Sequence, residues 1–415
     1  MALSIILPTI GSSGDVHPVI GIGRALRARG HQVTVVTNEL FSEQILDNGL
    51  EFAMMGTRAE AEGLMGDPRL WDLWRGFRSI VEGAILPNMR RLYEIIAERR
   101  GPSTVVAATT LCLGARVAQD RLGIPTATIH LQPGVFRSLV DNGRLGPFDL
   151  GPGVPRPLKR LLFWFIDEAL VDRLICPGLN ALRSSLGLPP VRGIFREYIH
   201  SPQLVLGLFP EWFAAPQADW PRNTHLTGFI MHDAGGRAEA NDEADDFIAG
   251  GTAPLLVTPG SAAMDRTNFF LQTVRACERA GVRALLVTNH PGQLPASLPP
   301  GIRALPYVPF SRILPRCAAI AYHGGIGTLA QAVRAGIPHL VVPNAHDQPD
   351  NGQRIERLGL GRSIDQRRYR ERTAARAIGE LIASRPMRDR CAEFAPRVDG
   401  SASLERACAL IEGLA

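Results

Sequence analysis

The chain is 415 residues long, 45% hydrophobic and 20% charged, enough for roughly two or three domains at about 150 residues each and too apolar for a disordered chain. Its 45 basic and 40 acidic residues leave a net charge of +5. The charges are dispersed and every cation except Lys159 is an arginine, which speaks against a nucleic-acid patch and against a charged tail.

Taken in order, residues 3–8 form a short apolar strand, 11–14 a glycine-rich turn, 18–29 a helix closed by Gly30, and 32–37 a second strand, the opening of a βαβ unit. A strand at 104–108, a helix at about 113–122 and a strand at 125–130 continue the alternation. The pattern restarts after residue 253 with strands at 254–258, 283–288, 301–305, 318–321 and 338–342, and with helices at about 268–280 and from Gly325 onwards. Two doubly wound parallel-sheet halves account for this order. Between them, 231–251 carries Gly235, Gly236 and the acidic run Asp242, Glu243, Asp245 and Asp246, read as an exposed linker with a short helix rather than a metal site. The arginine-rich stretch 367–376 reads as a helix start with a solvated face. The predicted division is 1–230, a linker 231–251, 252–390 and a final segment 391–415.

No apolar run reaches the length of a membrane span and no basic leader precedes the first strand, so the expected location is cytoplasmic. The six cysteines are scattered without paired spacing, and are expected as reduced core thiols.

The most informative stretch is 320–342. A strand ends at Tyr322, and His323, Gly324, Gly325, Ile326, Gly327 and Thr328 turn directly into a helix. Glycines let a ligand approach the backbone, and the positive end of the helix would hold a diphosphate without a metal, His323 adding a hydrogen bond. Just past the next strand, Asp347 and Gln348 pair a carboxylate with a carboxamide, a set suited to the hydroxyls of a sugar. The alternative is an Asx-type cap for the helix that follows.

These residues, with Gln331 and Asn351, resemble the donor-binding signature of the inverting family 1 glycosyltransferases. The resemblance implies an α/β GT-B fold, two Rossmann-like doubly wound parallel-sheet domains facing across a cleft, the first for the acceptor and the second for the nucleotide sugar, with the last helix returning to the first domain. It implies a nucleotide-diphosphate sugar, dTDP or UDP, as co-substrate, with no metal and no further cofactor. On this match His323, Gly325, Gly327 and Thr328 meet the diphosphate, Gln331 the ribose, Asp347 and Gln348 the donor sugar, Tyr307 with Val308 the base, and Gly260 with Ser261 a further phosphate oxygen. The loop 11–18 resembles the acceptor-side catalytic loop of the same family. Asp15 is then the general base, His17 the competing candidate, and Ser13 and Gly14 lie on the donor. A carboxylate at that place can take the proton of an acceptor hydroxyl as it attacks the anomeric carbon, while the alternative for Asp15 is a cap on the helix beginning near Pro18.

The first half is rich in large apolar groups, and an acceptor pocket there is expected to draw on Trp71, Trp74, Phe77, His130 and Phe163, the alternative being plain core. Arg75, Arg78 and Arg137 are candidates to receive an acceptor carboxylate. Segment 156–167 starts basic and continues through Leu161, Leu162, Phe163, Trp164, Phe165 and Ile166, the composition of a lid or of a peripheral contact with the inner membrane face. The strings 65–72, 200–203, 209–213, 217–221, 227–229 and 345–348 resemble, more narrowly, the rhamnosyltransferases of rhamnolipid biosynthesis. That implies dTDP-L-rhamnose as donor, a 3-(3-hydroxyalkanoyloxy)alkanoate as the lipid acceptor and an acceptor-supplying partner enzyme. Rival readings are a UDP-glucose or dTDP-deoxysugar transferase acting on a sterol, polyketide or other hydrophobic acceptor, a sugar-nucleotide epimerase, and a catalytically silent helper of the same fold. A dinucleotide oxidoreductase is disfavoured because no G-x-G-x-x-G follows the first strand.

Overall fold

The computed structural model describes residues 2–72, 75–146, 148–232, 242–260 and 266–415. Its strands are, in chain order, β1 (Ser4–Pro8), β2 (Gln32–Asn38), β3 (Glu51–Gly56), β4 (Thr104–Thr109), β5 (Thr126–His130), a hairpin of β6 (Arg144–Leu145) and β7 (Phe148–Asp149), β8 (Leu204–Gly207), β9 (Thr224–Leu226), β10 (Leu255–Thr258), β11 (Ala284–Val287), β12 (Ile302–Leu305), β13 (Ala319–Tyr322), β14 (His339–Val341) and β15 (Gly361–Ser363). The chain divides into two compact units, residues 1–232 with 400–415, and residues 233–399.

Each unit is built on a parallel sheet. The first runs β3-β2-β1-β4-β5-β8-β9 and the second β12-β11-β10-β13-β14-β15. The central strands are apolar on both faces, as in Ile5, Ile6 and Leu7 of β1 and Leu255, Leu256 and Val257 of β10, all fully buried, because helices cover both sides of such a sheet. Strand order reverses between β1 and β4 in the first sheet and between β10 and β13 in the second. Loops leaving the carboxyl ends of strands at such a reversal diverge to opposite faces and open a crevice for ligand.

The helix after β1 spans Ser13–Ala28 and begins five residues earlier than Pro18. Ser12 and Asp15 close a capping box at its start, so the second half of the turn 11–14 is already helix, and Pro18 lies inside the helix. The last helix, Gly400–Glu412, belongs to the first unit. It adds Ala407, Cys408 and Ile411 to that core, and Glu412 accepts from Arg29 at 2.7 Å and lies 2.8 Å from Nε2 of His31. The second unit therefore runs past residue 390 to Asp399: Cys391 and Phe394 are buried, and Cys391 Sγ donates to the Leu360 carbonyl at 3.4 Å.

The acidic run carries the short helix expected there, but packed rather than wholly exposed. Asp242–Ala249 is a helix with Ala244 and Ile248 buried. Glu243 pairs with Arg303 at 3.3 Å, and Asp245 pairs with both Arg312 and Arg316, which fastens the segment to the second unit. Residues 233–241 lie outside the described residues. All six cysteines are free thiols, five of them buried. Among the described residues, no helix is long and apolar enough to cross a membrane.

Candidate functional site

The geometry of the second unit follows from the reversal at β10 and β13. Thr258 and Tyr322 are register partners at the strand ends, so the residues that follow, Gly260 and His323, emerge side by side. A β-carbon on Gly260 would meet His323 Cε1 at 2.6 Å, and one on Gly325 would meet Nε2 at 2.4 Å. The imidazole is thus clamped between two glycine backbones that any side chain would separate. Burial, and after it the charge of Arg266, push the His323 pKa down to about 3. The ring is neutral at working pH, and its Nδ1 finds no hydrogen-bond partner among the described residues.

Gly325 is the N-cap of the helix Ile326–Arg334, whose first-turn N–H groups, including those of Gly327 and Thr328, have no partner within the helix and carry its positive end. A neutral imidazole and a row of amide donors at one strand end form a cradle suited to an anion. Gly324 has φ +96°, and a β-carbon there would sit 2.8 Å from Val341 and 3.1 Å from the Gln348 carbonyl, so the loop is pressed against the Asp347 turn.

That turn is tied together by Asn351, fully buried, whose Nδ2 donates to the Gly324 carbonyl at 2.9 Å and to Asp347 Oδ2 at 2.7 Å. Asp347 is the N-cap residue of the helix Gln348–Arg357 without capping it through its side chain, which corrects the Asx-cap alternative. Gln348 does brace the turn: its Oε1 accepts from the N–H groups of Asn344 at 2.8 Å and Ala345 at 3.3 Å. His346 sits at φ 59°, a positive angle not found at any other non-glycine residue described, a strained setting typical of ligand turns. Tyr307 and Gln331 are half-buried and Val308 is buried; Tyr307 and Val308 follow β12 at the sheet edge. Ser261 lies outside the described residues.

In the first unit, Asp15 occupies the first turn of its helix, beside Ser13 and Gly14. Its Oδ2 accepts from the Ser12 N–H at 2.8 Å and lies 3.3 Å from the Ser12 hydroxyl. A β-carbon on Gly11 would fall 2.1 Å from the same oxygen, so the glycine makes room for the carboxylate. Burial pushes the Asp15 pKa up to about 6, against the pull of the Ser12 bonds. Capping and base roles are compatible, since one oxygen takes the cap. His17 lies one helical turn further on from Ser13, its ring 6.1 Å from that of His232 at 73°.

The proposed pocket residues divide. Phe77 packs edge-on to Phe195 at 6.0 Å, and the Arg137 guanidinium lies over Phe195 at 5.0 Å and over buried Phe163 at 5.4 Å, which places Phe77 and Phe163 in one cluster. Trp71 ends the 3₁₀ turn Pro68–Trp71, and Trp74 lies outside the described residues. His130 is fully buried in the sheet. Arg137 is engaged in a buried ion pair with Asp167 at 3.2 Å, which corrects its reading as a waiting partner for an acceptor carboxylate. The helix Arg156–Ile166 exposes Leu158, Leu161, Trp164 and Phe165 while burying Lys159, whose Nζ donates to the Val140 carbonyl at 2.6 Å.

Among the described residues no group of three or more His, Cys, Asp or Glu could hold a metal ion. Arg266 and the bracing role of Asn351 were not legible in sequence, since neither sits in a motif that spells out its contacts.

Two family models match parts of the chain: the glycosyltransferase family 28 N-terminal domain over residues 5–138, and the C-terminal domain of erythromycin biosynthesis protein CIII-like proteins over 282–402. The O-mycaminosyltylonolide 6-deoxyallosyltransferase of Streptomyces fradiae is 28% identical, across 99% of this chain and 97% of its own. The glycosyltransferase of kitacinnamycin superposes with a TM-score of 0.77 at 21% identity, covering 100% of this chain and 99% of its own. The spinosyn rhamnosyltransferase complexed with thymidine diphosphate superposes with a TM-score of 0.67 at 19% identity, covering 98% and 99%.

Proposed function

Because the chain is a glycosyltransferase of the GT-B fold, we propose that it transfers a deoxyhexose from a dTDP-sugar to a hydroxyl of an apolar, polyketide-like aglycone with inversion at the anomeric carbon. The observation that carries the reading is the His323 cradle at the β10/β13 reversal, in a chain that aligns end to end with a 6-deoxyallosyltransferase. The donor's diphosphate is assigned to the N–H groups of the Ile326–Arg334 helix and to His323, held neutral by burial. As the glycosidic bond to the diphosphate lengthens, negative charge grows on the leaving oxygens, and fixed donors aimed at that charge stabilise it. Asp347, oriented by Asn351, is assigned to the sugar hydroxyls. Asp15 is assigned to the acceptor: its carboxylate accepts the proton of the attacking hydroxyl, and a pKa near 6 suits a base that must be ionised yet basic near neutrality.

The rhamnolipid reading keeps these assignments and changes the two substrates. The exposed apolar face of Arg156–Ile166 favours keeping a lipid acceptor as its second arm. Calorimetric titration with dTDP and UDP, then mass-spectrometric turnover of dTDP-L-rhamnose and UDP-glucose against erythronolide B and 3-(3-hydroxydecanoyloxy)decanoate, separates them. Preference for dTDP and a macrolactone gaining one deoxyhexose is the expected result. A product on the lipid acid alone moves the assignment to rhamnolipid synthesis, and binding of neither nucleotide removes the transferase reading.

A further inference from the structure

We propose that Thr110 is an acceptor-binding residue: its hydroxyl stands across the β1/β4 reversal from Asp15 and is held in place by a buried pair of imidazoles, His130 and His200. The proposal rests on the reading above, that a hydroxylated acceptor is deprotonated at Asp15.

Placement comes from topology. β1 and β4 are parallel neighbours in register, Ser4 beside Thr104 and Ile6 beside Val106, at the point where the strand order turns back. Asp15 lies in the loop and first helical turn after β1, and Thr110 is the first residue past β4. The two therefore flank the crevice where ligands of such sheets bind. The charge of Asp15 is also felt at the buried thiol of Cys112, two residues beyond Thr110.

The second observation is what lies behind the hydroxyl. Thr110 Oγ1 is 2.8 Å from His130 Nδ1, and His130 Nε2 is 2.9 Å from His200 Nδ1. His130 is fully buried and His200 nearly so. His200 stacks on Phe136 with centroids 5.5 Å apart and planes 3° from parallel, and Phe136 stacks in turn on Trp220 at 4.2 Å. Polar rings placed among aromatics are costly unless every bond they can make is made. Burial keeps both imidazoles uncharged, so each has one N–H and one lone pair, and the bond between them uses one of each. Thr110 Oγ1 also lies 3.3 Å from the Ile129 carbonyl, to which it can donate, so its one proton goes either to His130 Nδ1 or to that carbonyl. In either case the proton is used inside the protein and half-buried Thr110 is left with a lone pair of Oγ1 to offer, on a β-branched side chain with few rotamers of its own. A lone pair held this way fits a substrate that carries, near the hydroxyl that attacks, a second hydroxyl able to donate to it. His130 and His200 are positioning residues that act through it.

The test is steady-state kinetics with dTDP-L-rhamnose and the polyhydroxylated erythronolide B, together with calorimetric dTDP affinity, for the wild type, Thr110→Val, Thr110→Ser and His130→Phe. Thr110→Val keeps the shape and removes the hydroxyl; acceptor KM should rise about tenfold, the effect of one neutral hydrogen bond, with kcat within about threefold by the same reasoning and dTDP affinity unchanged. Thr110→Ser should restore acceptor KM, and His130→Phe should reproduce the KM defect in weaker form. Unchanged acceptor KM in Thr110→Val overturns the proposal, as does a serine variant impaired as much as the valine one, which would mean packing rather than hydrogen bonding. Wild-type protein that does not turn over erythronolide B overturns the functional reading and takes this proposal with it, an outcome distinct from an active wild type with an indifferent Thr110→Val.

Discussion

The ring of His323 is in contact with the backbone of Gly260, at a distance that leaves no room for a β-carbon, which would fall 2.6 Å from Cε1. Two successive strand ends of the second sheet thereby fix an imidazole over the start of a helix without any hydrogen bond from the described residues to its Nδ1. The glycine is required twice, since its φ is +90° and side chains rarely adopt that conformation.

Gly260→Ala should therefore displace His323 and weaken dTDP binding by at least about tenfold, comparable with the loss of one charge-assisted hydrogen bond. His323→Ala should weaken it similarly, and the double variant should be little worse than either alone, because both remove the same contact. Calorimetry on the three proteins checks this. Additive losses would mean that Gly260 and His323 act separately.

Asp15 gives a kinetic prediction. With its carboxyl pushed up to about 6 by burial, kcat/KM for the acceptor should rise with pH and level off above an apparent pKa near 6, because only the ionised form accepts a proton. Asp15→Asn should lower turnover by about 10²- to 10⁴-fold. The amide oxygen can still accept from the Ser12 N–H, so melting temperature and dTDP affinity should change little. A flat pH profile with retained activity in Asp15→Asn would move the base to His17, and His17→Asn would then carry the loss.

What the sequence disclosed follows from what is local in it. The alternation of short apolar strands with helices shows two doubly wound sheets, because burial on both faces forces continuous apolar strands. The strand-to-helix turn at His323 is legible because glycine spacing, histidine and helix start are contiguous. The start of the first helix was misplaced for an equally local reason: Pro18 reads as a first-turn residue, whereas the Ser12 and Asp15 capping box fixes the helix start at Ser13 and the proline is carried inside. Arg137 looked available because its partner, Asp167, is thirty residues away in a turn with π-helical geometry. Thr110 carries no signal of its own and Asn351 enters only as part of the resemblance; what each does comes from Gly324, Asp347 and His130, which only the tertiary fold brings to them.

The buried histidines predict acid lability with a definite sign. His323 and His339 are pushed down to about 3, His200 to about 4, and His130 well below its ordinary value, all chiefly by burial. Unfolded, each would take up a proton near pH 6.5. Their contribution is therefore fully present above about 6.5 and is lost as pH falls toward the folded values, by up to about 1.4 kcal/mol per pH unit for each ring. Asp15 works in the opposite sense, its contribution being complete below the ordinary carboxylate value and lost as pH rises through about 6. His346 is lowered and the carboxyl of Asp167 raised in the same way by burial, and five rings against two carboxyls give a net fall. Melting temperature should drop steadily from pH 7 to pH 5, and a temperature independent of pH over that range would contradict the burial of these rings.

Asn351 supplies the last test, because one side chain ties the Gly324 loop to the Asp347 turn, the two places assigned above to diphosphate and sugar. Its Nδ2 holds the Gly324 carbonyl and Asp347 Oδ2 together, and Asn351 itself has no exposure to water. Asn351→Ala leaves both acceptors without that donor, which costs about 1–3 kcal/mol for groups so buried, or a fall of roughly 2–12 °C in the melting transition of the second unit. Function should split more sharply than stability. Free dTDP has no sugar to meet Asp347, so its affinity should fall only as far as the Gly324 loop loosens, within about threefold, whereas KM for the intact dTDP-sugar should rise about tenfold as Asp347 loses its orientation. Equal losses for dTDP and for the dTDP-sugar would mean that Asn351 supports the diphosphate loop alone and that Asp347 needs no help to find its partner.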